Sequence, residues 1–287
     1  MSLLQSILLG ILQGLTEFLP VSSSGHLMIM QKLLNVNTDT GLLFEILLHL
    51  GTLVAIFVAF FKDIKELVYE TFVIIGNCIH NAKCVCTGKR KEKRKIIETA
   101  YQRFVLLILI STIPTGIIGF FMKDLIENTI TTLMVPGLCL VLTSVLLVMS
   151  DRYIGGEKDE QTTRISDAVF LGIAQGVATI PGLSRSGTTI TACLSRGFRR
   201  DYAVRYSFIM SIPAVLGAAV LEIKDITKEC FVKEELVVYL VGTAVAAIVG
   251  YFCIKTMLVL VRGKKFTYFA IYCFIVGVIA VVSSFLV

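Results

Sequence analysis

The stretch Gln13-Gly-Leu-Thr-Glu17-Phe-Leu-Pro-Val-Ser-Ser-Ser-Gly-His26 constrains the whole chain, because it returns in altered form 162 residues later. The second copy reads Gln175-Gly-Val-Ala-Thr-Ile-Pro-Gly-Leu-Ser184-Arg185-Ser186-Gly187. Eight of the seventeen ungapped positions from Leu9 to Gly25 are identical to those from Leu171 to Gly187. Each copy is an apolar, helix-like run, then a Pro, then a Ser/Gly-rich break. A duplicated helix break that carries polar side chains inside an apolar chain is the pattern of a membrane site built from discontinuous helices.

The rest of the chain supports that class. Hydrophobic residues make up 55% of it, and the mean hydropathy is +0.82. A soluble protein with a rich core is a poor fit, because several apolar runs reach the length of a bilayer span. These runs are Leu42 to Phe61, Phe104 to Met122, Thr131 to Met149, Ala203 to Leu221, Val237 to Val261 and Phe266 to Val287. Pro114 and Gly116 are the expected kink points of the second. The N-terminal run lacks a basic lead-in and is not expected to be a cleaved signal peptide. Cys84 and Cys86, with Cys78 and His80 close by, fit no standard zinc spacing and read as small hydrophobes.

The segments around the two breaks are shorter. Residues 3–19 with Leu27–Leu34, and Ala168–Ile180 with Thr188–Leu194, cannot each cross a hydrocarbon core of about 30 Å. They read as two re-entrant helical hairpins whose broken backbone is buried in protein or lines a wet cavity. The fold class is therefore all-α integral membrane: six transmembrane helices plus two re-entrant hairpins in an inverted-topology repeat. Residues 1–150 form the first repeat, including a basic loop at 62–103, and residues 151–287 form the second.

Charge sets the expected orientation. Placing 62–103, 150–203 and 262–265 inside puts twenty of the twenty-seven Lys/Arg in the cytoplasm. The outer segments then hold only Lys32, Lys123, Lys224, Lys228 and Lys233. This positive-inside bias explains the net charge of +6 better than nucleic-acid binding does. It also sends the hairpins in from opposite sides, with their tips meeting near mid-membrane. The basic loop is expected to contact anionic headgroups.

Ionisable groups at membrane depth are functional candidates by default. Here they are Glu17, His26 and Arg185, among Gln13, Ser22, Ser23, Ser24, Ser184, Ser186, Thr188 and Thr189. Arg with hydroxyls and free backbone amides is a phosphate-binding set. A carboxylate can hold a divalent ion or act as a base, and an imidazole transfers protons near neutral pH. The bland alternatives are a structural Glu17–Arg185 pair, a capping His26, and hydroxyls that merely satisfy broken backbone. Glu45 and His49, four apart on one face of the first span, fit either supporting or direct roles.

The two motifs resemble the signature motifs of the bacterial undecaprenyl-pyrophosphate phosphatases, the bacitracin-resistance family, and the resemblance runs over essentially the whole chain. It implies a multi-pass enzyme of the bacterial plasma membrane that hydrolyses undecaprenyl diphosphate to the monophosphate and phosphate, recycling the carrier for cell-wall synthesis. It places catalytic roles on Glu17, His26, Ser23 and Arg185, and substrate binding on Gln13, Ser22, Ser184, Ser186, Thr188 and Thr189. It also implies a divalent cation, Mg²⁺ or Ca²⁺, at Glu17. Many relatives carry Glu where this chain has Gln13, which removes one charge from that ion site. Ser23 is the expected nucleophile, with His26 as general acid/base three residues on; attack by the imidazole or by water are the alternatives. The pocket is expected to open to the outer side. The implied partners are the polyprenyl diphosphate, the bilayer and a second copy as a homodimer, without nucleic acid. The competing reading is a polyprenyl-phosphate flippase or anion transporter on the same scaffold.

Overall fold

The computed structural model describes residues 1–34, 36, 41–88, 92–129, 133–153, 155–226, 233–263 and 265–285. Among the described residues the chain is helical, and its one β-type contact is an isolated bridge between Lys158 and Phe198. The first hairpin is α1 (Leu3–Phe18) and α2 (Ser23–Leu33). Then come α3 (Gly41–Ala59), α4 (Phe61–Cys86), α5 (Ala100–Thr129) and α6 (Met134–Arg152). The second hairpin is α7 (Ile165–Val177) and α8 (Arg185–Ser195), followed by α9 (Arg200–Ile226), α10 (Lys233–Arg262) and α11 (Phe266–Ser283).

Five of these helices, α5, α6, α9, α10 and α11, contain stretches long and apolar enough to cross a membrane. The bent pair α3–α4 passes the same test when taken together, which allows a sixth. Their outward faces carry exposed Phe120, Phe121, Val220, Ile248, Phe252 and Phe274, as lipid contact requires. The chain is a multi-pass membrane protein. The basic segment expected as a loop at 62–103 is largely helix: α4 turns away from α3 by 88°. Helix α5 runs unbroken through Pro114. Beside that proline Ser111 donates to the carbonyl of Ala168 at 2.9 Å, and Thr115 to that of Gly172 at 2.8 Å. The expected third span starts inside residues 130–132, which lie outside the described residues, as do the last two residues of the sixth.

The halves interlock. Helix α1 packs on α10, whereas α7 packs on α5. Both contacts are close because glycines face the partner. A Cβ on Gly14 would lie 2.8 Å from the carbonyl of Ala246, and one on Gly176 would lie 2.7 Å from the Ile118 side chain. These two glycines occupy matching repeat positions. Without a hydrophobic force between helices in lipid, such close backbone approach is a main source of association. It brings each hairpin against the opposite half of the chain and so brings the two breaks together.

Candidate active site

Each second hairpin helix begins with a serine cap. Ser22 accepts from the Gly25 N–H at 3.5 Å, and Ser184 from the Gly187 N–H at 3.1 Å. The first residue of α2 is then Ser23 and the first of α8 is Arg185, equivalent positions in the repeat. The tips touch in matching pairs. A Cβ on Gly25 would sit 3.3 Å from Gly182, and one on Gly187 would sit 3.3 Å from Pro20, its repeat-related counterpart. The Gly182 N–H donates to Ser24 Oγ at 3.4 Å, and Ser186 Oγ donates to the Leu19 carbonyl at 3.4 Å. Ser22 has φ +70°, the one non-glycine among the described residues in the left-handed region. Strain of that kind persists where surrounding contacts over-determine it, and it clusters at functional sites.

The meeting tips converge on Glu17, which is 7% exposed. Its Oε1 pairs with Arg185 Nη2 across the two hairpins. Its Oε2 accepts from Ser23 Oγ at 2.6 Å and from Gln13 Nε2 at 3.0 Å. His49 Nε2 lies 3.8 Å from the same oxygen, and its Nδ1 donates to the Glu45 carbonyl at 2.9 Å. Glu45 in turn accepts from Gln31 Nε2 at 2.8 Å. Two oxygens of one buried carboxylate therefore gather a guanidinium, a hydroxyl, an amide and an imidazole.

His26 sits differently from the sequence expectation. Its Nδ1 faces the Ser22 carbonyl at 2.7 Å, and its Nε2 faces Tyr272 Oη at 2.8 Å. A carbonyl only accepts, so Nδ1 carries the hydrogen, and in the neutral ring Nε2 accepts from the tyrosine. The two rings also stack, with centroids 5.5 Å apart. Ser23 thus gives its hydrogen bond to Glu17 and not to His26, whose ring nitrogens are taken by the Ser22 carbonyl and by Tyr272 of α11. Tyr272 is the residue the sequence reading missed. Its signal, one of two phenols in a mainly apolar span that also holds Tyr268, is too common to single out.

The remaining hydroxyls divide into two groups. Ser22, Ser184, Ser186 and Thr189 are occupied by caps or helix carbonyls: Thr189 Oγ1 bonds the Arg185 carbonyl at 2.8 Å and Ser207 Oγ at 2.5 Å. The Ser184 N–H also donates to Thr143 Oγ1 at 3.0 Å, a contact no sequence pattern signalled. Thr188 Oγ1, by contrast, is buried without a partner among the described residues, as are Gln13 Oε1 and Gln175 Oε1. An unsatisfied buried oxygen beside a carboxylate suits a hard cation, which binds oxygen ligands. The protein supplies one such oxygen here, Gln13 Oε1, beside the Glu17 carboxylate. Mg²⁺ characteristically binds through one or two carboxylates plus substrate phosphates, so the residues fit an ion completed by a bound diphosphate.

The family described as Bacitracin resistance protein BacA matches residues 6–279. This chain belongs to that family. It is 40% identical over 284 residues to a Methanosphaera stadtmanae protein, covering 99% of both chains. It is 40% identical over 286 residues to one from Alkaliphilus metalliredigens, covering both completely, and 38% identical over 284 residues to one from Halothermothrix orenii, covering 99% of both. All three carry the name undecaprenyl-diphosphatase.

Proposed function

We propose that this chain hydrolyses undecaprenyl diphosphate to undecaprenyl monophosphate and phosphate, and that through this reaction it confers the resistance its family is named for. The observation that carries the reading is the convergence of Ser23, Glu17 and Arg185, from both hairpins, at one point between apolar helices. A diphosphate headgroup would sit at the tips while its polyprenyl tail lies among the lipid-facing helices.

Phosphoryl transfer depends on positioning and on charge stabilisation more than on covalent chemistry by the protein. Arg185 presents five N–H donors and meets Glu17 through Nη2, which leaves the other donors, without partners among the described residues, to clamp phosphate oxygens. Ser23 Oγ attacks the terminal phosphorus, and its proton passes to Glu17 Oε2, to which it is already hydrogen-bonded at 2.6 Å. The polyprenyl monophosphate leaves with the electron pair of the broken P–O bond. Water then attacks the phosphoserine, giving its proton to His26 Nε2. Phosphate departs as Ser23 Oγ recovers the proton from Glu17. The Ser22 carbonyl holds His26 in the tautomer this step requires, with Nε2 as the acceptor, and Tyr272 Oη donates to that nitrogen until the water takes its place. Thr188 Oγ1, unpartnered among the described residues, would donate to a phosphate oxygen. Bound Mg²⁺ or Ca²⁺ would neutralise diphosphate charge next to Gln13 Oε1 and Glu17. By charge bias the site would open to the side opposite the basic segments, the outer face.

The test is phosphate release from the C55 diphosphate by purified protein in detergent, with and without chelator. Release without a gradient or second compartment supports the enzyme; absence of release under both conditions, by folded protein, contradicts it. Trapping of labelled phosphate on Ser23 separates the serine route from direct attack by water.

A further inference from the structure

Helix α4 has two working faces. One meets the protein: Asp63 accepts from Tyr101 at 3.1 Å and from Arg205 at 2.9 Å, and Glu70 accepts from Gln102 at 2.7 Å. Further along, Asn81 Nδ2 donates to the Arg94 carbonyl at 2.8 Å. The other face is apolar and uncovered. Phe61, Val68, Phe72, Ile75 and Ile79 are all exposed. At 3.6 residues per turn they fall within roughly 60° of one another, and Lys65 and Lys83 stand together one step round from Phe72. Both lysines are exposed. Between the C-terminal end of α4 and the segment 93–97 lies a cavity of about 600 Å³, walled by apolar Val85, Ile96 and Ile97 and by Lys93, Arg94 and Lys95.

We infer that α4 does not cross the bilayer but lies along the interface of the leaflet on the basic side. Its apolar stripe enters the acyl region, and the groove beside segment 93–97 takes the headgroup of an anionic phospholipid. Three observations fix that occupant. The 88° turn sets α4 nearly perpendicular to α3, the run expected from sequence to be the first span, and so near the membrane plane. An apolar stripe flanked by lysines is the composition of a helix held at the headgroup boundary, where lysine stems follow apolar surface and their charges reach the phosphates. The groove joins apolar walls to three cations, which matches a lipid phosphate with its first acyl carbons.

The chain contains no tryptophan, so one introduced residue reports alone. Phe72→Trp protein in vesicles is expected to be quenched most by lipids brominated near the headgroup end of the acyl chain. Strongest quenching by bromines at the bilayer centre would show a crossing helix. Quenching by aqueous iodide with none by bromolipid would show a face in water, or one covered by a second copy. Either result overturns the inference. For the groove, Val85→Trp is expected to be quenched several-fold more by brominated phosphatidylglycerol than by brominated phosphatidylcholine at equal bromine content. That preference should fall as salt is raised, and it should vanish in the Lys93→Glu/Arg94→Glu/Lys95→Glu background. Equal quenching by the two lipids at low salt in the unaltered loop overturns the headgroup site.

Discussion

The two hairpin tips share a frame and differ in chemistry. In each, a serine caps the second helix, a second serine follows two residues on, and a glycine packs against the other tip at a matching position. Among the repeat-related pairs that differ, three carry ionisable groups: Glu17 against Thr179, Ser23 against Arg185, and His26 against Thr188. The first tip thus holds the anion, the hydroxyl that touches it and the imidazole, and the second supplies the cation. A two-fold frame alone would present equal groups to both ends of a diphosphate. The substitutions make the pocket polar in one direction, as a reaction at only one of two phosphates requires.

The comparison breaks first at the cross-tip pair. Arg185→Ala and Glu17→Ala are each expected to lower kcat/KM for phosphate release by about 10²–10⁴. Loss of the arginine leaves a buried carboxylate unpaired, a change that costs roughly 3–5 kcal/mol in buried pairs. A melting curve in detergent must therefore show the variant folded. The next pair sharpens the asymmetry. His26→Ala is expected to cost about 10²–10³ in kcat, the scale of a lost general acid/base, whereas Thr188→Ala costs about tenfold or less. Equal losses would mean the two positions do the same work.

Tyr272→Phe keeps the ring stack on His26 but removes the 2.8 Å hydrogen bond. A drop of about fivefold in kcat follows from one neutral hydrogen bond worth roughly 1 kcal/mol. The pH–rate profile should change in the limb assigned to His26, and KM should change little. An unaltered profile would give Tyr272 a packing role only. The smallest effect concerns Gln13→Glu, which adds a carboxylate beside Glu17. Activity should change by a few-fold, and half-maximal activity should need less divalent ion. No change in ion dependence would place the cation elsewhere.

The hairpins were legible because Pro20, Pro181 and the Ser/Gly runs leave no other structure for short apolar segments in lipid. Glu17, Arg185 and Ser23 were legible because charge and hydroxyl stand out against apolar neighbours. The partner of Ser23 was not: spacing along one helix puts it three residues from His26, yet the carboxylate that accepts its hydrogen bond comes from the preceding helix. Tyr272 and Thr143 were hidden for a related reason, since each joins the site through a tertiary contact with no local pattern. The bend at Ala59–Phe61 was read as the end of a span and the start of a loop. No proline or glycine there announces that the chain continues as helix in a new direction.

The measurement closest to the central claim is a double-mutant cycle on kcat/KM for phosphate release, using Glu17→Gln, Arg185→Gln and the pair together. If the two tips form one diphosphate pocket, the double variant should lose little more than the worse single variant, as residues acting as a unit do. Losses that multiply would mean that the two side chains act independently, and that the meeting of the hairpins is not the site of the reaction.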